Sequence, residues 1–265
     1  MYYRKSMLAV AVFIVVSLGA SVVVAQTFGV KKKRPKPYEF GNVVINNFSK
    51  WENISPVVFK HWLHRSKYTC RVCHVDIGFA MRAQETRITE ADNRMGMYCG
   101  ACHNGQVAFG PEGKDIDGTP LKNCEKCHSY GQDVQFKHNF LDFRIRMPRE
   151  RFGNGIDWLK AEEEGLVKLK DFVEGVSIPR KKLKEPKNIE IMSKELNMPD
   201  IVFSHEKHTK WNGCELCHPE IFGVKKGAQP YSMQEIFDGK YCGLCHGPVA
   251  FPNIDCQRCH SKDVW

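Results

Sequence analysis

A pentapeptide of the form Cys-x-x-Cys-His recurs six times in this chain and restricts its folding more than any other feature. The copies are CRVCH at 70–74, CGACH at 99–103, CEKCH at 124–128, CELCH at 214–218, CGLCH at 242–246 and CQRCH at 256–260. Together they use all twelve cysteines. A disulfide scaffold varies its cysteine spacings, whereas here one spacing repeats with no cysteine left over.

Two other uses of paired cysteines do not match this pattern. A structural zinc site closes four ligands and gives no reason for a histidine after every second cysteine. A thioredoxin-like redox site has one Cys-x-x-Cys near a β-α-β pattern, not six copies without one. Cys-x-x-Cys-His is instead the attachment signature of c-type haem, in which the thiols bond to the porphyrin and the histidine binds the iron proximally.

The sequence therefore predicts six covalently bound haem c groups with their iron. The predicted attachment residues are Cys70, Cys73, Cys99, Cys102, Cys124, Cys127, Cys214, Cys217, Cys242, Cys245, Cys256 and Cys259. The predicted proximal iron ligands are His74, His103, His128, His218, His246 and His260.

The haem motifs belong to an internal duplication. VVFKHWLHRSKYTCRVCH at 57–74 aligns without a gap with IVFSHEKHTKWNGCELCH at 201–218. MYCGACHNGQVAF at 97–109 resembles KYCGLCHGPVAF at 240–251, which is one residue shorter. Each pair of motifs is followed by a third. The chain is therefore divided into two trihaem modules, at 51–140 and 199–265.

Residues 141–198, between the modules, contain no cysteine and are rich in charge. The stretch DWLKAEEEGLVKLKDF, at 157–172, predicts one helix with Asp157 as its N-cap. We interpret 141–198 as a charged helical spacer that sets the distance between the modules. A docking surface for a partner is the alternative.

The apolar content is low for a chain that builds its core from side chains alone. Its 265 residues are 42% hydrophobic, which suits one or two small domains. Six stapled macrocycles would supply the missing apolar surface. We expect a mostly irregular fold with short α-helices, in which haem forms much of the core of two trihaem cytochrome modules joined by a helical spacer.

The positive charge of the polypeptide does not indicate a nucleic-acid partner. The formal net charge is +9, but two propionates per haem would bring the total to about −3 before iron is counted. The Lys and Arg side chains are better interpreted as propionate partners. No Gly-rich phosphate loop or aromatic-interleaved basic motif favours nucleic acid.

The N-terminus predicts export. Residues 1–25 combine Arg4 and Lys5 with an apolar run from Met7 to Ala25, which suits a signal peptide or a retained N-terminal membrane anchor. Residues 26–50, which contain KKKRPKP, are interpreted as a basic tether, with contact to lipid headgroups or an acidic partner as the alternative. Either way, the haem-bearing part would be periplasmic or attached to the outer face of the cytoplasmic membrane.

The pattern VFSHEKH…CELCH…YSMQEIFDGKYCGLCH…AF…CQRCH resembles the three-haem class III cytochromes c of the c-seven type, especially the tandem trihaem proteins of metal-respiring bacteria. The resemblance covers both modules and leaves out the spacer and the N-terminus. It implies closely packed haems in small, mostly irregular domains that pass single electrons.

Five of the eleven histidines lie outside the motifs, so six haems cannot all have two histidine ligands from this chain. The resemblance implies that His61 and His64 reach over the first and second haems of module 1. It implies the same roles for His205 and His208 in module 2. Paired surface histidines on one helical face are the alternative.

The distal ligand of the third haem in each module is open. The resemblance implies Met233 in module 2, whereas the aligned position in module 1 is Glu90. We favour His138 for module 1 and place Met95 next, with Met97 nearby. A methionine that fills a gap in the core and a surface histidine are the alternatives.

These observations favour an electron-transfer protein rather than an enzyme, working between a membrane quinol-linked donor and periplasmic or extracellular acceptors. Its partners would be donor and acceptor cytochromes or a quinol-oxidising complex, with possible membrane association. One alternative is a reductase of a nitrite-like oxyanion at an open haem near Glu90 and Asp92. Another is a membrane-anchored haem subunit of a respiratory complex.

Overall fold

The computed structural model describes residues 35–129, 134–181, 183–193, 198–227 and 229–262, with the side chains of 134–138 excepted. The predicted signal peptide or anchor and most of the basic tether therefore lie outside the described residues. Within the described ranges, no helix combines the length and the apolar composition needed to cross a bilayer.

Regular structure in the described chain is short and scattered. The longest helix has 12 residues, and tight helical turns lie at Val72–Asp76, Tyr98–Ala101, Tyr241–Leu244 and Cys256–Arg258. The α-helices are α1 His61–Arg65, α2 Glu90–Arg94, α3 Cys124–Cys127, α4 Val134–Ile145, α5 Trp158–Glu163, α6 His205–Asn212 and α7 Met233–Phe237. This confirms the prediction of a mostly irregular fold with short helices.

The described chain also contains three small antiparallel sheets. The strands are β1 Asn42–Ile45, β2 Val57–Lys60, β3 Glu112–Lys114, β4 Pro120–Lys122, β5 Ile189–Ile191, β6 Asp200–Phe203 and β7 His260–Lys262. β1 pairs with β2, β3 with β4, and β6 lies between β5 and β7. Strands β2 and β6 lead directly into α1 and α6, so the two sheets hold the helices that carry the predicted distal histidines.

The duplication is visible in the backbone. In both modules, a short helix with a capping box precedes the second haem motif: Thr89 caps α2 and Ser232 caps α7. The tyrosine before the first cysteine of that motif has a positive φ in both modules, 48° at Tyr98 and 51° at Tyr241.

The glycine inside this second motif is required by close packing. A Cβ atom on Gly100 would lie 1.9 Å from the Asn93 carbonyl oxygen, and one on Gly243 would lie 1.9 Å from that of Ile236. Only glycine allows the motif to approach the preceding helix so closely. Both modules thus build their second site in the same way.

The prediction of one helix over 157–172 is wrong. Asp157 caps α5 as predicted, its side chain accepting from the Lys160 N–H at 3.1 Å, but the helix ends at Glu163. Gly165 then takes a φ of 71°, and the Leu166 N–H donates to the Ala161 carbonyl at 2.8 Å. This glycine-ended turn stops the helix.

The spacer contributes to an apolar core cluster. Trp62 from module 1 and Trp211 from module 2 belong to one buried cluster with spacer residues. The other members are Phe140, Ile156, Trp158, Ala161 and Val167. Residues 141–198 therefore pack between the modules and connect them. The sequence had suggested only that they keep the modules apart.

An ion-pair network fastens the spacer to two haem motifs. The Asp76 side chain is fully buried and pairs with Arg180 at 2.6 Å and Arg71 at 3.5 Å. Arg71 also pairs with Asp171 at 2.9 Å, and Arg180 with Glu215 at 3.1 Å. Because Arg71 lies inside the first motif and Glu215 inside the fourth, the network joins motifs of both modules.

Candidate haem-binding sites

All twelve cysteines lie in the described part of the chain, and none forms a disulfide. Burial raises the pKa of Cys73 and that of Cys245 to about 12, and the pKa of Cys99 and that of Cys242 to about 11. Reactive redox cysteines have lowered pKa values because a nearby cation or helix terminus stabilises the thiolate. In these thiols burial outweighs any such stabilisation, including that of Arg65 near Cys245.

The histidine side chains share one hydrogen-bonding pattern. In all ten histidines whose side chains are described, Nδ1 lies 2.6–3.2 Å from a backbone carbonyl oxygen. The histidine and carbonyl pairs are His61 with Gly41, His64 with Lys60, His74 with Phe79, His103 with Phe109, His128 with Ser55, His205 with Lys187, His208 with Ser204, His218 with Phe222, His246 with Phe251 and His260 with Pro199.

This pattern selects one tautomer. A carbonyl oxygen only accepts hydrogen bonds, so Nδ1 must carry the proton and donate it. In the neutral ring, Nε2 then keeps its lone pair, which is the form that binds a metal ion. Six proximal and four distal candidates are therefore oriented alike, although they come from different elements.

Burial keeps several of these rings neutral. It lowers the pKa of His61 and that of His246 to about 4. It also lowers the pKa values of His64, His74 and His208. At neutral pH the rings are uncharged, as binding to iron requires.

Three predicted distal histidines face predicted proximal ones. Ring centres are 6.4 Å apart for His61 and His74, whose planes differ by 8°. The corresponding separation is 6.2 Å for His64 and His103. In module 2 it is 6.1 Å for His208 and His246.

These separations fit a haem iron between the rings. A metal–imidazole bond of about 2 Å on each side puts the two ring centres about 6 Å apart. The geometry brings His61 to the first motif, His64 to the second and His208 to the fifth, as the predicted assignment requires. The ligation itself stays a prediction.

Phe59 in β2 and Phe203 at the end of β6 each pack against both histidines of a predicted distal pair, a role that sequence reasoning missed. Phe59 lies edge-on to His61 at 4.8 Å and over His64 at 4.3 Å. Phe203 repeats both contacts, at 5.0 Å from His205 and 4.3 Å from His208. The Val-Phe-x-His repeat was the available signal, since a phenylalanine at a fixed offset from two histidines indicates packing against them.

The candidate distal ligands for the third haem of each module are His138 or Met95 in module 1 and Met233 in module 2. Met233 and Glu90 are the first residues of α7 and α2, which supports their alignment. Glu90 forms an ion pair with Arg94 at 2.7 Å, while Met95 is 68% exposed. His138 belongs to α4, but its side chain lies outside the described residues. These assignments stay predictions.

Sequence comparison identifies two regions of one kind of multihaem cytochrome. The family described as "Cytochrome c7 and related cytochrome c" matches residues 57–129 and 201–261, together just over half of the chain. The chain belongs to this family. No curated protein matches it.

Several solved multihaem structures are similar in sequence. The C-terminal hexaheme fragment of GSU1996 is 24% identical over 87% of this chain and 99% of that one, with a TM-score of 0.27. A c7-type three-heme cytochrome domain is 38% identical over 29% of this chain and 95% of its own length, with a TM-score of 0.27. The dodecaheme cytochrome c GSU1996 is 25% identical over 86% of this chain and 75% of that chain, with a TM-score of 0.27.

Family membership identifies the cofactor. The twelve cysteines belong to six haem c attachment sites. Proteins of this family are generally electron-transfer proteins, interact with redox partner proteins and are typically exported.

Proposed function

We propose that this protein transfers single electrons from a membrane quinol-linked donor to periplasmic or extracellular acceptors through six haem c groups. The opposed imidazole pairs at 6.1–6.4 Å carry the proposal. A haem with both axial positions occupied leaves the iron no place for a substrate, so electrons pass without bond formation.

The protein side chains would hold and tune the haems. His61, His64, His205 and His208 would be the distal ligands of the first two haems in each module, oriented by their carbonyl partners and by Phe59 or Phe203. Haem supplies the one-electron couple of its iron when bound. The chain supplies imidazole ligands that their carbonyl partners orient, several of them kept neutral by burial.

The remaining two haems would differ from these four. His138 or Met95 would bind the third haem of module 1, and Met233 that of module 2. A thioether ligand raises the reduction potential relative to a second imidazole, so a haem bound by methionine would be the high-potential station of its module.

The modules at 51–140 and 199–265 would each depend on haem for most of their interior. The apolar core cluster around Trp62, Trp158 and Trp211 lies between the modules. Within each module, many of the side chains around the motifs are only partly buried. Haem faces would cover these surfaces.

The two carboxylates that could serve an oxyanion reductase as acids, Glu90 and Asp92, are held by other residues. Glu90 forms an ion pair with Arg94, and Asp92 completes the capping box of α2. Hydrogen bonds from Thr89 lower the pKa of Asp92, whereas a general acid at neutral pH needs a raised one. Both carboxylates therefore have structural roles.

Mixing with nitrite tests the proposal. The fully reduced protein should stay reduced in excess nitrite and be oxidised within the mixing time by a small soluble one-electron acceptor. The proposal leaves no iron open to nitrite, whereas outer-sphere transfer needs only close approach. Nitrite-dependent oxidation, accompanied by the spectrum of a nitrogen-oxide complex of haem, would favour the reductase instead.

The site of action would be the periplasm or the outer face of the cytoplasmic membrane. A soluble carrier and an anchored haem subunit differ in how the full-length chain fractionates. An anchored protein stays with the membranes after a high-salt wash, whereas a shuttle or a protein held by charge is released.

A further inference from the structure

Arg65 lies where module 1, the spacer and module 2 meet. Its guanidinium carbon lies 4.4 Å from the ring centre of Trp158 in the spacer and 5.2 Å from that of Trp211 in module 2. One terminal nitrogen donates to the Val249 carbonyl at 3.0 Å. Two buried aromatic rings and a backbone oxygen therefore hold the cation in place.

This cation has no anionic partner in the described part of the chain. Its Nε atom is shielded from solvent and meets no hydrogen-bond acceptor there, and no carboxylate of those residues forms an ion pair with it. Arg71 and Arg180, by contrast, both pair with carboxylates. A desolvated charge without a counterion is costly, so a further anion is expected at Arg65.

Two haem motifs lie beside it. Cys70, the first cysteine of the first motif, packs against the same core cluster as Trp158 and Trp211. On the other side, the Val249 N–H donates to the Cys245 carbonyl at 3.1 Å, inside the fifth motif. The propionates of a haem c are on the two pyrroles that carry no thioether, so an arginine beside a motif meets a propionate only by reaching along the edge of the porphyrin. A carboxylate in that position suits an arginine fork.

The feature is not part of the repeat. Thr209 occupies the aligned position in module 2, where its hydroxyl donates to the His205 carbonyl at 2.8 Å. Arginine at position 65 is therefore explained by its place between the modules rather than by the design shared by both.

We propose that Arg65 binds a propionate of the haem attached at Cys70 and Cys73, or of the haem at Cys242 and Cys245, and raises the reduction potential of that haem. The charge favours the reduced state because reduction adds an electron beside a cation. The inference deepens the proposed electron-transfer function and rests on it, since a shift in reduction potential matters only if that haem passes electrons.

The test compares R65Q, which removes the charge, with R65K, which keeps it without the fork. Exposed Arg146 follows the last residue of α4 and donates to the Asp142 carbonyl, so R146Q is the matched control. Intact mass first establishes six haems in each variant. A potentiometric titration followed by nuclear magnetic resonance then assigns each midpoint to its haem.

In R65Q, at the wild-type midpoint, the ratio of reduced to oxidised haem should fall about tenfold at one haem, equal to about 59 mV for one electron. R65K should recover most of this loss, and R146Q should show none. If the midpoint potential of the first or the fifth haem shifts, that haem carries the propionate that Arg65 binds. If every ratio in R65Q stays within twofold of wild type while all six irons remain low-spin, the inference is overturned and the electron-transfer function stands.

If R65Q does not retain six haems, an experimental structure of the haem-loaded wild type decides. A propionate oxygen within about 3.5 Å of Arg65 Nε supports the inference. A water molecule, an inorganic ion or a protein carboxylate in that place overturns it. Failure of the proposed function would appear separately, as a wild-type iron that binds nitrite.

Discussion

Backbone carbonyl oxygens determine how the histidines of this protein can act. Each described histidine donates from Nδ1 to a carbonyl and points Nε2 elsewhere, whether it follows a cysteine or lies on α1 or α6. The motif spacing predicted the proximal histidines. It did not predict their carbonyl partners, because Ser55 and Pro199 lie far along the chain from His128 and His260.

Replacing His208 tests the distal role directly. In H208A the fifth haem should lose its second ligand, so about one iron in six becomes high-spin and binds cyanide. Electron paramagnetic resonance and a cyanide titration measure the change. T209A, which alters the next residue of α6 and leaves the ring, is the control and should remain fully low-spin. An unchanged low-spin spectrum for H208A would show that another group binds that iron.

The sequence predicted some of the short helices of this protein and missed others. The duplicated Val-Phe-x-His-x-x-His stretch predicted equivalent distal histidines in the two modules. The helices that carry them, α1 and α6, each follow a strand and a shared phenylalanine. The helix over 157–172 was wrong, because Gly165 ends α5 after the Glu-rich turn. The contact between Arg65 and Trp158 was unpredictable, since it depends on packing between segments distant in sequence.

Gly100 provides a test at the contact between α2 and the second motif. Alanine there would push its Cβ into the Asn93 carbonyl, so G100A should lower the free energy of unfolding by about 3 kcal/mol. Urea denaturation of the haem-loaded protein measures it. Gly118 has open space around it and a φ of 84°, so G118A should cost only about 1 kcal/mol for its backbone. Equal losses would contradict the packing explanation.

The two modules and the spacer behave as one folded unit because core and ion pairs cross every boundary. Trp62, Trp158 and Trp211 come from the three segments and share one cluster. The Asp76 network adds a second connection, from the first motif through the spacer to the fourth. Composition alone could not predict this arrangement, since a charge-rich linker usually remains solvated.

Removing the shared carboxylate should weaken that connection. In D76N, Arg71 and Arg180 lose a fully buried partner, and the free energy of unfolding should fall by about 3–5 kcal/mol. The urea midpoint measures the loss, and faster trypsin cleavage within 141–198 should accompany it. D142N removes an exposed carboxylate of α4 and should change stability by less than about 0.5 kcal/mol. A D76N protein as stable as wild type would mean that the apolar cluster alone holds the modules together.

The coordination of the six irons is the central claim, and low-temperature electron paramagnetic resonance of the fully oxidised protein with a far-red optical scan tests it most directly. The proposal predicts low-spin signals from every iron, with a thioether-to-iron band from at least one haem bound by methionine. A high-spin signal that shifts when nitrite or cyanide is added would contradict it, because an open iron is a site for substrate rather than a station for electrons.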